Sequence, residues 1–315
     1  VTKYLLVDGN NIAARAAHAS WATNTLSTDD GVPTAALMFF INSLAKVIGE
    51  EHPTHVAVAW DGRSEFRHRL LPTYKANRKT AAPEPGKDYT AAFPLMREFL
   101  GAAGIFQHRL AEFEADDLVA TWWWKIHQAE EIIILSGDKD LYQLLGPSPW
   151  AINTTARKPV GGGIYEKWTS ERFVEKNGFE PHLWPLVGAL TGDTSDNIDG
   201  IKGVGPKRAV KLLNDFDWNI TKAIQEKYPE HVELVRRNVR LMDLTADPIP
   251  DYGNHIRRFR PAPCDSPDGA VLDAFLTRYE LAGIQASFRK NALWTQASAV
   301  GRPFRSSAAE GRTSP

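Results

Sequence analysis

Tyr4-Leu5-Leu6-Val7-Asp8 is the stretch on which the fold turns: a short run, apolar on both sides of the backbone, closed by an acid. A half-exposed strand alternates apolar with polar residues, whereas a run that is apolar at every position reads as a strand buried on both faces inside a parallel sheet. The same signature returns at Val56 to Trp60 and at Ile132 to Leu135. Helix-like stretches separate the three. Pro33 to Glu50 carries Leu37, Phe40, Ile41, Leu44 and Ile48 at helical spacing, with Pro33 suited to a first turn. Glu114 to His127 reads as another helix. This order predicts an α/β layer with a mostly parallel sheet in the first half of the chain. Arg157 to Tyr165, with three consecutive glycines, looks like the turn of a short hairpin at its end. From Pro181 to Ser287 short helical segments take over, and the tail 297–315, rich in Ser, Ala, Gly, Arg and Pro, is expected to be disordered.

The chain has 315 residues, enough for two domains or one large one. With 43% hydrophobic and 24% charged residues it has the composition of an ordinary globular protein. Its 37 Lys and Arg against 38 Asp and Glu give a net charge of −1, which argues against a polycation that grips nucleic acid with its whole surface. A lone cysteine, Cys264, cannot form an internal disulfide, so a cytoplasmic location is expected. The longest apolar-looking stretch, Ala35 to Gly49, is interrupted by Asn42, Ser43 and Lys46, so no membrane segment is expected. An acid as early as Asp8 argues against a signal peptide.

The acids fall at telling places. Asp8 and Asp61 end the first two predicted strands, and Asp138 and Asp140 follow the third, at the sheet edge where open α/β folds bind ligands. Glu114, Asp116 and Asp117 open a predicted helix, while Asp193 and Asp196 stand three apart, close enough to face one way on a helical turn. Glu114-x-Asp116-Asp117 alone reads more readily as a helix cap than as a ligand set. Nine carboxylates at one edge, however, would repel one another unless cations were present, which points to a site for hard divalent metals. Oxygen-only donors favour magnesium or manganese over zinc. The nine histidines form no zinc motif, and there is no nucleophile elbow for serine chemistry. In Trp122-Trp123-Trp124 successive side chains point in different directions on a helix, so one or two belong to the core.

Two basic segments suggest what the acids act on. Arg63, Arg67, Arg69, Lys75, Arg78 and Lys79 place six cations within 17 residues, with Glu65 the only acid and Phe66 and Tyr74 interleaved. Such a run is often a solvated face, but it is also the mixture that neutralises phosphates and stacks a base. In Gly200 to Lys211, Gly203-Val204-Gly205 permits a tight turn between helices. The amides of the second helix can hold a phosphate, and Lys202, Lys207, Arg208 and Lys211 add charge without base readout.

These segments carry a family resemblance. Leu5-Leu6-Val7-Asp8-Gly9-Asn10, Asp61 with Phe66-Arg67 and Tyr74-Lys75-Ala76-Asn77-Arg78, Glu114-Ala115-Asp116-Asp117, Gly137-Asp138-Lys139-Asp140-Leu141-Tyr142-Gln143-Leu144, and Gly192-Asp193-Thr194-Ser195-Asp196-Asn197 resemble the flap endonuclease and 5′-3′ exonuclease family. More narrowly they are similar to the 5′-nuclease domain of bacterial DNA polymerase I and to phage 5′ exonucleases, in order from about Tyr4 to Phe288. The resemblance implies an α/β, PIN-like, mostly parallel sheet flanked by helices over 1–180, with a helical arch at about 63–85. It implies a helical DNA-binding region over 181–296, with a helix-two-turn-helix motif at about 186–215. Because the chain stops near the end of that domain, it reads as a free-standing nuclease without a polymerase domain.

By motif, the resemblance implies that Asp8, Asp61, Glu114, Asp116, Asp117, Asp138, Asp140, Asp193 and Asp196 bind two or more Mg2+ or Mn2+ ions. Lys75 and Arg78 match the family's active-site lysine and arch arginine, and Tyr74 matches an aromatic that stacks near the scissile nucleotide. Arg67 and Lys79 join the DNA contacts of the arch, and the Gly203–Gly205 turn matches the duplex-binding hairpin that in relatives also holds a potassium ion. Asp199 departs from the pattern, standing where polymerase-linked relatives usually carry proline; it reads either as a solvated acid beside the hairpin or as an additional outer metal ligand. The activity implied is hydrolysis by a two-metal mechanism of DNA bearing a 5′ flap, nick or free 5′ end, leaving 5′-phosphate and 3′-hydroxyl ends, in replication and repair. A monomer is expected, and no sliding-clamp peptide is evident. A PIN-type ribonuclease would share the acidic edge without needing the basic hairpin, and a non-catalytic junction-binding protein would keep the hairpin without needing the acids.

Overall fold

The structure, a computed structural model, describes residues 3–21, 26–79, 90–127, 131–146, 149–153, 166–245 and 269–291. The expected hairpin at 157–165, the arch beyond residue 79, the side chain of Lys79, Cys264 and the tail lie outside the described residues.

Six strands form one sheet in the order β3-β2-β1-β4-β5-β6. They are β1 (Lys3–Asp8), β2 (His55–Trp60), β3 (Phe106–Arg109), β4 (Glu131–Leu135), β5 (Pro149–Asn153) and β6 (Glu166–Trp168). The first five run parallel and only β6 is antiparallel. The three apolar runs are the three central strands, and their alternate residues feed two separate cores. Leu5, Val7, Val58, Trp60, Ile133 and Leu135 pack with helices α1 (Gly9–Trp21), α2 (Ala35–Glu51) and α4 (Phe93–Ala102) on one face. Leu6, Ala57, Ala59, Ile132 and Ile134 pack with α5 (Ala115–Ile126) on the other. Burial on both faces is what a run without polar alternation requires.

Pro33 does not start the second helix. It forms an isolated bridge with Ser27, and α2 begins two residues later. Of the three tryptophans, Trp122 is in the core, Trp123 packs at its edge and Trp124 is exposed. Between β2 and α4 lie α3 (Glu65–Leu70) and a 3-10 turn (Ala76–Lys79), the described part of the expected arch.

After β6 the chain turns helical: α6 (Ser170–Asn177), α7 (Trp184–Thr191), α8 (Pro206–Asp215), α9 (Ile220–Lys227) and α10 (Val232–Met242) surround a third core that includes Phe173, Leu190, Ala209, Leu213 and Val235. One two-residue ladder interrupts them, β7 (Gly192–Asp193) against β8 (Ile198–Asp199). Two later helices, α11 (Gly269–Arg278) and α12 (Ala282–Asn291), return to the first core through Leu276 and Ile284. Among the described residues no helix is long and apolar enough to cross a membrane.

Candidate active site

The strand order reverses direction at β1, which has β2 on one side and β4 on the other, so the carboxyl ends of β1 and β4 flank the switch point of the sheet. Asp8 sits there as the last residue of β1. Its Oδ1 accepts from Asn11 N at 3.0 Å, capping α1, and its Oδ2 accepts from Ser136 Oγ at 2.8 Å. The first turn of α1 reaches sideways as well: Asn10 Oδ1 accepts from Asp61 N at 2.9 Å, and Asn11 Oδ1 accepts from Gly137 N at 2.8 Å. Two adjacent asparagines thereby hold the exits of β2 and β4 against the end of β1.

The loop after β2 closes onto α5. Gly62 lies so near residues 110–113 that a Cβ there would stand 1.8 Å from Leu110 O, so glycine alone permits the approach. This brings Asp61 Oδ1 to Ala115 N at 2.8 Å, at the positive end of α5. The same helix start carries a reciprocal capping box between Glu114 and Asp117.

The predicted acids divide between two cavities. Asp8, Asp61, Glu114, Asp116 and Asp138 line one of about 380 Å³, together with Lys75 and Arg78. Asp140 and Asp193 line a larger, more apolar one of about 620 Å³ with Trp184, Lys207 and Met242. Asp196 turns toward the first group: its Oδ1 accepts from Arg78 Nη2 at 2.5 Å and its Oδ2 from the Tyr74 hydroxyl at 3.0 Å. Asp193 and Asp196 thus do not face one way, because a turn between β7 and β8 carries them rather than a helix.

Burial and mutual repulsion set the charge states. Burial, with the charges of Asp61 and Asp138 adding, pushes the Asp8 carboxyl up to about 7. Burial, with Asp138, Asp193 and Asp196 adding, pushes Asp140 to about 7 as well. Asp61 and Asp138 are also raised, each chiefly by burial. Glu114 is the exception: burial opposes its charge, but Arg67 and Lys75 hold its carboxyl down at about 2. Lys75 Nζ lies 2.5 Å from Glu114 Oε1 and 3.8 Å from Asp196 Oδ2, on a backbone in the left-handed region with φ of 53°. That conformation is uncommon for a residue with a side chain, and Lys75 N donating to Asp196 O at 2.9 Å helps to hold it.

As the residues stand, no three His, Cys, Asp or Glu side chains among the described residues form a ready cage for a metal ion. Two of the acids already have partners here, Glu114 with Lys75 and Tyr74 and Asp196 with Arg78 and Tyr74. The donor chemistry nonetheless fits a divalent metal: buried, oxygen-only carboxylates that raise one another's pKa become stable as anions when a hard cation joins them.

Three expectations need correcting, and one open alternative closes. Arg67 is buried, 4% exposed, with Nη1 and Nη2 donating to Asp117 at 2.6 and 2.8 Å and Nε to Leu241 O at 3.1 Å, so it faces inward and not toward DNA. Asp117 is turned onto the same fork, its Oδ2 also accepting from Glu114 N, so its carboxylate serves Arg67 and the helix cap and does not line the cavity of the other acids. Tyr74 is 2% exposed and donates to Glu114 Oε2 at 2.8 Å, packing with Ile198 and Leu241 rather than offering a stacking face. Asp199 is exposed on β8 opposite Gly192, and without a helical turn it does not share a face with Asp196; it is a solvated acid.

The hairpin stands at the start of α8. Gly203 has φ of 80°, Val204 is buried, and Pro206 opens the helix. Lys202, Lys207, Arg208 and Lys211 are exposed there, and Arg208 Nη1 lies 3.4 Å from Gly203 O. The described arch lies on the turn between β7 and β8, with Asn77 Nδ2 donating to Thr194 O at 2.7 Å and Asn197 Nδ2 to Thr73 O at 2.8 Å. Sequence reasoning gave no role to Asn10, Asn11, Ser136 or Gln143. For the first two a signal existed: paired asparagines one residue beyond a strand-ending acid can bond neighbouring backbone. Ser136 and Gln143 had none.

The family model described as the 5′-3′ exonuclease N-terminal resolvase-like domain matches residues 3–178, and that of the 5′-3′ exonuclease C-terminal SAM fold matches 179–248. The chain is 37% identical over 246 residues to DNA polymerase I of Bacillus caldotenax, covering 77% of this chain and 27% of that protein. It is 39% identical over 217 residues to DNA polymerase I of Bacillus subtilis (strain 168), covering 68% and 23%. The chain therefore spans about a quarter of the length of these curated relatives. Among solved structures, a bacteriophage T5 flap endonuclease in a pseudo-enzyme-product complex with DNA and metal ions superposes with a TM-score of 0.63 at 22% identity. The match covers 88% of this chain and 97% of that one, a likeness of fold.

Proposed function

The chain belongs to the 5′-3′ exonuclease family, and from that membership we propose that it hydrolyses DNA phosphodiester bonds as a metal-dependent 5′ nuclease, on DNA with a 5′ flap, a nick or a free 5′ end. The observation that carries this reading is the 380 Å³ cavity, where carboxylates from four separate chain segments stand with Lys75 and Arg78. Asp8, Asp61, Glu114, Asp116 and Asp138, with Asp196 turned toward them, would hold one divalent ion, and Asp140 and Asp193 a second, Mg2+ or Mn2+ by the hardness of the oxygen donors. Such ions supply a bound water of lowered pKa and positive charge at the leaving oxygen.

The chain's own residues do the rest. Lys75 and Arg78 bring two cations into the cavity that lacks them elsewhere, where a transferring phosphate gathers negative charge. The amides at the start of α8, with Lys202, Lys207, Arg208 and Lys211, take duplex phosphates without reading bases. The main-chain oxygens of Gly203 to Gly205 would take a potassium ion, with Arg208 sharing the carbonyl of Gly203. A 5′-labelled flap duplex incubated with magnesium or manganese should yield a short labelled product, and a chelator should prevent it. Intact substrate under every metal condition would sink the proposal.

A further inference from the structure

Gln143 lies in the 3-10 turn Asp140–Leu144, 3% exposed, between the acidic sheet edge and the helical half of the molecule. Its carboxamide is fully used. Nε2 donates to Asp140 O at 2.7 Å and to Met242 O at 3.0 Å, while Oε1 accepts from Leu244 N at 2.9 Å. Met242 is the last residue of α10, where helix carbonyls lack partners within the helix and must find them elsewhere. The preceding carbonyl, that of Leu241, is taken by Arg67, which also grips Asp117. The last two carbonyls of α10 are therefore received by side chains belonging to two of the acid-bearing motifs.

The same helix reaches another of them. Asn238, with no exposed surface, donates through Nδ2 to Ala189 O at 3.0 Å and to Asp199 O at 2.7 Å, on either side of the turn that carries Asp193 and Asp196. A helix that bears no acid of the site thus fixes the relative positions of its separate parts.

Resting on the nuclease reading above, we propose that Gln143 is a positioning residue, whose buried carboxamide locks the backbone of Asp140 to the end of α10 and so holds the Asp138-Asp140 edge in register with Asp193 and Asp196. Its loss would remove the bonds described to Met242 O and Leu244 N and the tie from Asp140 O to them, and the acids facing the larger cavity would lose their common reference. The effect belongs to metal binding and to turnover. Duplex affinity, which depends on α8 and the hairpin, should be spared.

The test uses the full chain with Gln143→Leu, and with Gln143→Met as a second, unbranched replacement of similar length. Manganese binding without DNA is measured by calorimetry, duplex binding in chelator by anisotropy, and kcat and KM on a flap duplex. Manganese affinity and kcat should each fall about 10- to 100-fold while duplex affinity stays within about threefold, the pattern for a residue that orients ligands without being one. Manganese affinity and kcat within twofold of the wild type, or a loss of duplex affinity as large as the loss of manganese affinity, would overturn the proposal. So would failure of both variants to fold, since the carboxamide would then be holding the fold and not the site. Absence of cleavage by the wild type itself would instead defeat the nuclease reading.

Discussion

Arg67 shows how far a side chain's surroundings decide its work. Burial opposes its charge, yet Asp117 and Asp116 raise its pKa well above the ordinary arginine value, and the planar fork meets both oxygens of Asp117. Arg67→Ala would strand Asp117 without a counter-charge inside the protein and leave Glu114 with Lys75 alone, and urea unfolding in chelator should register a loss of about 3–5 kcal/mol. Arg67→Lys keeps the charge but not the fork and should recover only part of it. A change under about 1 kcal/mol for the alanine variant would show that the pair is not holding this region. In the sequence Arg67 stands in a run of six cations and reads as one more phosphate contact. Nothing local reveals that α5 and the end of α10 close over it, because both partners are far away along the chain. Lys75 and Arg78 come from the same run and do face the cavity, so the composition of the segment was legible while the inward turn of one member was not.

Among elements, the central strands were readable because burial on both faces leaves an uninterrupted apolar run. The edge strand β3 was not, since Phe106-Gln107-His108-Arg109 is four residues long and has no buried member. The start of α8 joined both kinds of information: the glycines marked the turn, and the exposed Lys and Arg marked the face. Ala209 and Leu213 anchor that helix in the third core, so Lys207 projects from a rigid base. Lys207→Ala should weaken duplex binding similarly for all sequences and reduce the slope of log affinity against log salt by about 1. A strong dependence on base sequence, or an unchanged salt slope, would remove Lys207 from the phosphate contacts.

At the scale of the molecule, a net charge of −1 conceals segregation: acids gather at one sheet edge, and cations on the arch and hairpin. The metal-free protein should feel this in its stability. Asp8 and Asp140 are raised from 3.8 to about 7, so between those values the folded chain binds more protons than the unfolded one, and stability falls as pH rises. Glu114, lowered from 4.5 to about 2, works the other way and contributes stability that is lost only as pH falls through that lower window. In chelator the thermal midpoint should decline from pH 5 to pH 8, and added manganese should restore most at pH 8. A midpoint that is level across this range would refute the account.

The bond from Arg67 Nε to Leu241 O joins residues 174 apart in sequence. During synthesis every acid of the site leaves the ribosome before α10 does, so between the emergence of Asp117 and that of Leu241 the guanidinium has its carboxylates but lacks the carbonyl that completes its shell. Contacts of such long separation form late, after the closure of a large loop. The sheet and its second core can begin to assemble while the chain is still growing, but the finished geometry of the acids must await the arrival of α10, and the first core is completed later still, by α11 and α12.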